Sequence, residues 1–211
     1  MSRDKKTRIV LATGNAGKVR ELAGPLAVFG MEVAGLSDFP AIGDIEETGS
    51  SFEENALLKA RAVAAATGLV CVADDSGLEV DALGGAPGIF SARYADDWAY
   101  LPGESRDARN IRKLLASLAG VPAPQRGCRF VCCMAAVRPK GGELAVRGVW
   151  EGRLLEAGRG TGGFGYDPVF FDEESQMSAA EMHRDEKNAR SHRGKALRAL
   201  LEGWEAFVSS E

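Results

Sequence analysis

The short apolar run Arg8–Thr13 (RIVLAT) ends at a glycine-bearing turn and passes straight into helix-like sequence from about Ala16 to Phe29. A buried strand that feeds a helix restricts the chain to architectures in which helices cover a sheet. Pro25 predicts a kink or a restart in that helix, because it lacks the N–H an inner turn requires. Glu32–Leu36 reads as a second strand. Ser51–Glu54 fits a capping box ahead of a helix over Ala56–Thr67, which Gly68 ends. Leu69–Ala73 (LVCVA) reads as a buried strand, followed by a polar turn at Asp74–Gly77 and a loop rich in Gly and Pro. Asp107–Leu118 is an amphipathic helix, and Arg129–Val137 and Leu144–Trp150 flank PKGG as the arms of a hairpin. Glu186–Phe207 reads as one closing helix. Strands mixed with helices, plus a hairpin, predict an α/β fold with a mixed sheet. With no internal repeat and no long linker, the 211 residues predict a single domain, or two closely packed lobes, with residues 1–7 as a flexible start.

Composition narrows the function. The 26 Lys+Arg against 30 Asp+Glu, a formal charge of −4, argue against a globally basic nucleic-acid binder. An anion site in such a chain has to gather its cations locally. No stretch approaches the roughly 18 uninterrupted apolar residues of a membrane span. The start MSRDKKTRIVLAT has too short an apolar run for a secretory signal, so a cytoplasmic protein is expected. Cys71 and the pair Cys132–Cys133 lie in apolar, strand-like runs and read as buried, reduced thiols, and with Cys128 they form no paired C-x-x-C unit. Only two histidines occur, His183 and His192, so a metal here must be hard and oxygen-bound.

Four constellations can carry chemistry. Thr13-Gly14-Asn15-Ala16-Gly17-Lys18 runs from a strand end into a helix start, where unpaired N–H groups and small residues suit a phosphate. It is not a P-loop: Ala12 stands at the first glycine position and Val19 follows the lysine. A plain tight strand-to-helix connection would use the same residues. The carboxylates Glu46, Glu47, Asp74 and Asp75, with Ser76, include a pair at a predicted strand's carboxyl end, where Mg²⁺ or a proton-accepting role fits; a surface turn is the alternative. Gly160–Asp167 (GTGGFGYD) carries Phe164 and Tyr166 among glycines, suited either to stacking on a base or to simple packing. Lys187, His192 and Arg193 supply hydrogen-bond donors for phosphate or for purine carbonyl oxygens, or else a solvated face.

Taken together, ATGNAGKVREL, EETGSSFEENALLKA, ADDSGLEVDALGGAPGIFSARYA, GTGGFGYDP and EKNARSHRGKAL, in this order over nearly the whole chain, resemble the inosine triphosphate pyrophosphatase family, the non-canonical purine NTP pyrophosphatases. The resemblance implies hydrolysis of ITP, dITP and XTP to the monophosphate and pyrophosphate, which removes deaminated purines from the nucleotide pool. It also implies Mg²⁺ dependence, a homodimer, and an elongated mixed sheet flanked by helices with the active site in a cleft between two lobes. Carried over by motif, Thr13, Gly14, Asn15, Ala16, Gly17 and Lys18 contact the triphosphate with Lys59 nearby, and Asp75 is proton acceptor and metal ligand. The metal-binding glutamate falls in Glu46-Glu47; counting back from Lys59 favours Glu47 and leaves Glu46 open. Ser76, Phe164, Gly165, Tyr166, Asp167, Lys187, His192 and Arg193 then line the nucleotide site. Asp96–Arg106 and Ser178–Asp185 match less distinctively. The rival readings are a pyrophosphatase for modified pyrimidine nucleotides, as in the related septum-inhibitor family, and a nucleotide-binding regulator that does not turn over. The purine-type motifs argue against the first, and the intact carboxylates and lysines against the second.

Overall fold

A computed structural model describes residues 7–13, 22–27, 30–43 and 45–209. Its strands are β1 (Thr7–Leu11), β2 (Met31–Gly35), β3 (Val70–Val80), β4 (Gly127–Val137), β5 (Glu143–Leu154), β6 (Phe170–Asp172) and β7 (Met177–Ser178). Its helices are α1 (described over residues 22–27), α2 (Phe52–Thr67), α3 (Arg106–Ser117), α4 (Arg184–Arg190) and α5 (His192–Ser209). The seven strands form one sheet in the order β2-β1-β3-β4-β5-β6-β7. β1 runs parallel to both β2 and β3, whereas β5–β6 and β6–β7 are antiparallel, so the expected mixed α/β sheet is present. Ile9, Val10 and Leu11 are all fully buried, as a parallel strand covered on both faces requires. In register, Ile9 lies opposite Val33 on one side and Val70 on the other.

Local chemistry sets the helix ends. Ser51 Oγ accepts the Glu54 N–H at 3.1 Å, which starts α2 at Phe52, a turn earlier than the apolar pattern alone suggests. The Glu54 carboxylate holds the N–H and hydroxyl of Ser50 at 2.6 and 2.8 Å. Gly68, at φ +68°, closes the helix in the left-handed region. β4 and β5 are neighbours joined by a turn over 138–142, where the Arg138 N–H donates to the Gly142 carbonyl at 3.0 Å, as expected of the hairpin. Pro25 lies within the helical stretch 22–27, while the residues in which a restart would show, 14–21, lie outside the described residues, as do residues 1–6 of the expected flexible start.

Two expectations are corrected. Asp74–Gly77 is not a turn after a short strand: it lies in the middle of the eleven-residue β3, extended throughout. Strand geometry survives at these poor strand formers because their polar groups find partners on α2 and α5, set out below. Nor is the closing helix continuous. Ser191, at φ −65° and ψ 155°, separates α4 from α5, and its Oγ accepts the Gly194 N–H at 3.1 Å. A serine that caps a new helix ends the old one. A Cβ on Gly194 would overlap the Asn188 carbonyl oxygen, so the corner closes only around glycine. The short strands β6 and β7 were not anticipated.

The chain divides into two compact units: the described residues within Met1–Asp75, Cys132–Gly148 and Lys195–Glu211, and those within Ser76–Val131 and Val149–Gly194. The first has a core built on Ile9, Leu11, Leu26, Met134, Leu200 and Trp204. The second has its own, with the Phe170 ring 4.5 Å from Phe130 and 4.7 Å from Trp150. All four cysteines are buried and free, and burial pushes the Cys71 thiol up to about 12. Among the described residues no helix is long and apolar enough to cross a membrane.

Candidate active site

In the first unit the chemistry gathers around one face of α2. Phe52, Asn55, Ala56, Lys59, Ala60 and Val63 are buried at helical spacing, so Asn55 and Lys59 stand one turn apart among apolar neighbours. A polar group so placed must be hydrogen-bonded. Lys59 Nζ donates to Glu47 Oε1 at 3.0 Å and to the Asp74 carbonyl at 2.7 Å, and lies 3.5 Å from Asp75 Oδ1. Asn55 is wholly buried; its Nδ2 donates to Asp75 Oδ2 at 3.1 Å and its Oδ1 accepts the Gly49 N–H at 2.8 Å. Asp75 is thus held on both oxygens, and Asn55 fastens it to the loop that carries Glu47. Burial opposes the charge on Lys59, but Asp75, then Asp74 and Glu47, outweigh it and hold its pKa above the ordinary lysine value.

Glu47, not Glu46, reaches this lysine, and Glu46 is exposed. Thr13 follows β1, its N–H on the Leu11 carbonyl at 2.9 Å. Gly14, Asn15, Ala16, Gly17 and Lys18 lie outside the described residues. Asn55 is the residue the sequence reading missed. Its signal was an amide in the apolar stripe of α2, four residues before Lys59.

In the second unit the Gly-rich loop and the α4–α5 corner come together. The Phe164 N–H donates to Asp167 Oδ2 at 2.8 Å, and the same oxygen accepts Lys187 Nζ. Burial raises the Asp167 pKa, against the opposing pull of Lys187 and Arg193. The Phe164 ring is 38% exposed, with Lys187 Nζ 5.0 Å and Arg193 Cζ 5.5 Å from its centroid. Arg193 Nη2 donates to Ser76 Oγ at 3.1 Å, and His192 stacks on Phe130 with centroids 4.8 Å apart. Phe164, Asp167, Lys187, Arg193 and Ser76 are therefore brought together. Tyr166 is not part of that surface: it is buried, and its hydroxyl donates to the Ser91 carbonyl at 2.8 Å. The break at Ser191 places His192 and Arg193 in the first turn of a new helix rather than midway along an old one.

The α/β sheet thus carries a buried lysine between two carboxylates in the first unit and, in the second, a part-exposed ring flanked by two cations. The chain belongs to the Ham1 family, whose profile matches residues 9–203. It is 62% identical over 202 residues to the dITP/XTP pyrophosphatase of Nitratidesulfovibrio vulgaris strain Hildenborough, covering 96% of this chain and 98% of that one. It is 51% identical over 203 residues to the dITP/XTP pyrophosphatase of Geobacillus kaustophilus, covering 96% and 97%. Among solved structures, a HAM1 protein from Coxiella burnetii superposes with a TM-score of 0.85 at 42% identity, covering 95% of this chain and 99% of that one. The Staphylococcus aureus Ham1 protein does so at 0.83 and 38%, with the same coverage.

Proposed function

We propose that this chain is a Mg²⁺-dependent nucleoside triphosphate pyrophosphatase that hydrolyses ITP, dITP and XTP to the monophosphate and pyrophosphate, acting as a homodimer in the cytoplasm. The observation that carries the reading is the grouping of Lys59 on the buried face of α2, Asp75 in the middle of β3 and Glu47 on the loop ahead of α2, with Asn55 steadying Asp75. The names of the curated relatives, at up to 62% identity over nearly the whole chain, supply the substrate class.

The donor set fits a hard cation. Glu47 Oε1 and Asp75 Oδ1 both face one ammonium group, a place already arranged for positive charge. Among the described residues no three His, Cys, Asp or Glu side chains converge. Mg²⁺ suits such a site, since it is commonly bound through one or two carboxylates, with waters and phosphate oxygens completing the shell. When bound there by Glu47 and Asp75, it supplies neutralisation of phosphate charge. Asp75, fixed by Asn55 and Lys59, orients the attacking water and accepts its proton as pyrophosphate leaves the α-phosphorus. Lys59 keeps its charge at every working pH and offsets charge on the leaving group. Phe164 offers its ring face to the base. Lys187 and Arg193 offer donors that pair with a 6-oxo purine and would meet the 6-amino donor of adenine unpaired.

The test is pyrophosphate release from ITP, dITP, XTP, ATP, GTP, dTTP and UTP, with and without Mg²⁺. Turnover of the 6-oxo purines that depends on the metal is expected. Equal turnover of ATP and ITP would overturn the specificity, and release of orthophosphate would overturn the choice of bond. Asp75→Asn is expected to keep the fold and lose roughly 10²-fold or more in rate; near-normal turnover would remove Asp75 from its role.

A further inference from the structure

We infer that Asp107, in the first turn of α3, is a positioning residue: by accepting the Gly165 N–H it fixes the direction in which the loop presents Phe164. The inference rests on the reading of Phe164 as a base-contacting residue. Phe164 is 38% exposed, so packing covers only part of the residue and the loop backbone helps set the direction of its ring. Gly165 sits at φ +60°, and its N–H donates to Asp107 Oδ2 at 2.7 Å. On the other side, the Phe164 N–H is held by Asp167.

The anchor is itself firm. Ser105 caps α3 by accepting the Ala108 N–H at 3.1 Å, and buried Asn110 accepts the Ala95 N–H at 2.9 Å and donates to the Ser91 carbonyl at 3.3 Å. The same Ser91 carbonyl accepts the Tyr166 hydroxyl. Two consecutive loop residues are therefore referenced to α3, Gly165 directly and Tyr166 through Ser91. A carboxylate acceptor makes the first link roughly twice as strong as a neutral one. Asp107 belongs to neither the carboxylate–lysine group nor the cation-flanked ring, and the sequence motifs did not single it out.

The test compares Asp107→Ala, Asp107→Asn, Phe164→Ala and the double variant Asp107→Ala/Phe164→Ala, all checked for unchanged helix content. Two readouts are needed: KM and kcat for ITP, and amide hydrogen exchange over residues 163–166. Asp107→Ala is expected to raise KM about tenfold with kcat within about twofold, and to accelerate exchange. Asp107→Asn, which keeps an acceptor oxygen, is expected to recover most of both. In the Phe164→Ala background the change at Asp107 is expected to add nothing to KM. Multiplicative effects in the double variant, an unchanged KM, or unchanged exchange would each overturn the inference. A wild-type chain that spares ITP, with exchange still accelerated in Asp107→Ala, would refute the functional reading while leaving the anchor in place.

Discussion

Lys59 decides whether the buried Asp75 carboxylate and the half-buried Glu47 carboxylate can both face one point. Removing one partner of such a group leaves uncompensated charge, so Lys59→Met is expected to destabilise the protein by about 3 kcal/mol in urea denaturation, with Lys59→Met/Asp75→Asn recovering part of the loss. The folded-state pKa of Lys59 is raised above 10.5. Its contribution is therefore fully present below that value and is lost as pH rises through the higher folded value. The stability gap between wild type and Lys59→Met should accordingly close in alkali; a gap that does not narrow as pH rises beyond 10.5 would deny the coupling. At this scale the sequence was partly legible. Asp75 and Glu47 could be placed by motif and by counting from Lys59, but Asn55 could not. Its two partners, Gly49 and Asp75, lie 6 and 20 residues away, and only folding shows that both converge on it.

Helix α2 was readable because both its ends are local chemistry: Ser51 and Glu54 lie three residues apart, and Gly68 needs only its own φ. β3 was misread for the opposite reason. Asp-Asp-Ser-Gly favours a turn when its neighbours in sequence are all that is considered. In the protein the Asp74 carbonyl and the Asp75 carboxylate meet Lys59, and Ser76 meets Arg193, 117 residues on. The α4–α5 corner was also missed, although Ser191 is a good cap, because the apolar periodicity resumes beyond it. Ser191→Ala is expected to cost about 1 kcal/mol, the usual value of a lost cap. Gly194→Ala should cost more, about 1–3 kcal/mol, because its methyl group collides with the Asn188 carbonyl. Thermal denaturation that ranks the two variants in the reverse order would show that the corner relaxes at little cost.

Among the described residues, a set of acids is tied to nearby donors. Glu54 is held low by the Ser50 N–H, Asp97 by Lys113, Glu104 by Arg112, Glu143 by Arg61 and Glu181 by the Ser178 N–H. Each has a depressed folded pKa, so its stabilisation is present above the ordinary values of 3.8 and 4.5 and is lost as pH falls through the folded ones. Buried Asp167, with its pKa raised, works with the opposite sign. Because the depressed group is larger, the melting temperature is expected to fall between about pH 5 and about pH 3, and less steeply in high salt. A flat profile would mean that these pairs contribute nothing. The division of the chain has a consequence for synthesis on the ribosome. The core of the first unit joins Ile9 and Leu11 to Leu200, Trp204 and Phe207, whereas the second unit is complete in sequence by Gly194. Residues made before the second unit must wait for residues made after it. The nascent chain can thus finish its interior portion while its opening strand is still unpartnered by the closing helix, a long-range closure that slows folding and lengthens exposure to proteases and chaperones.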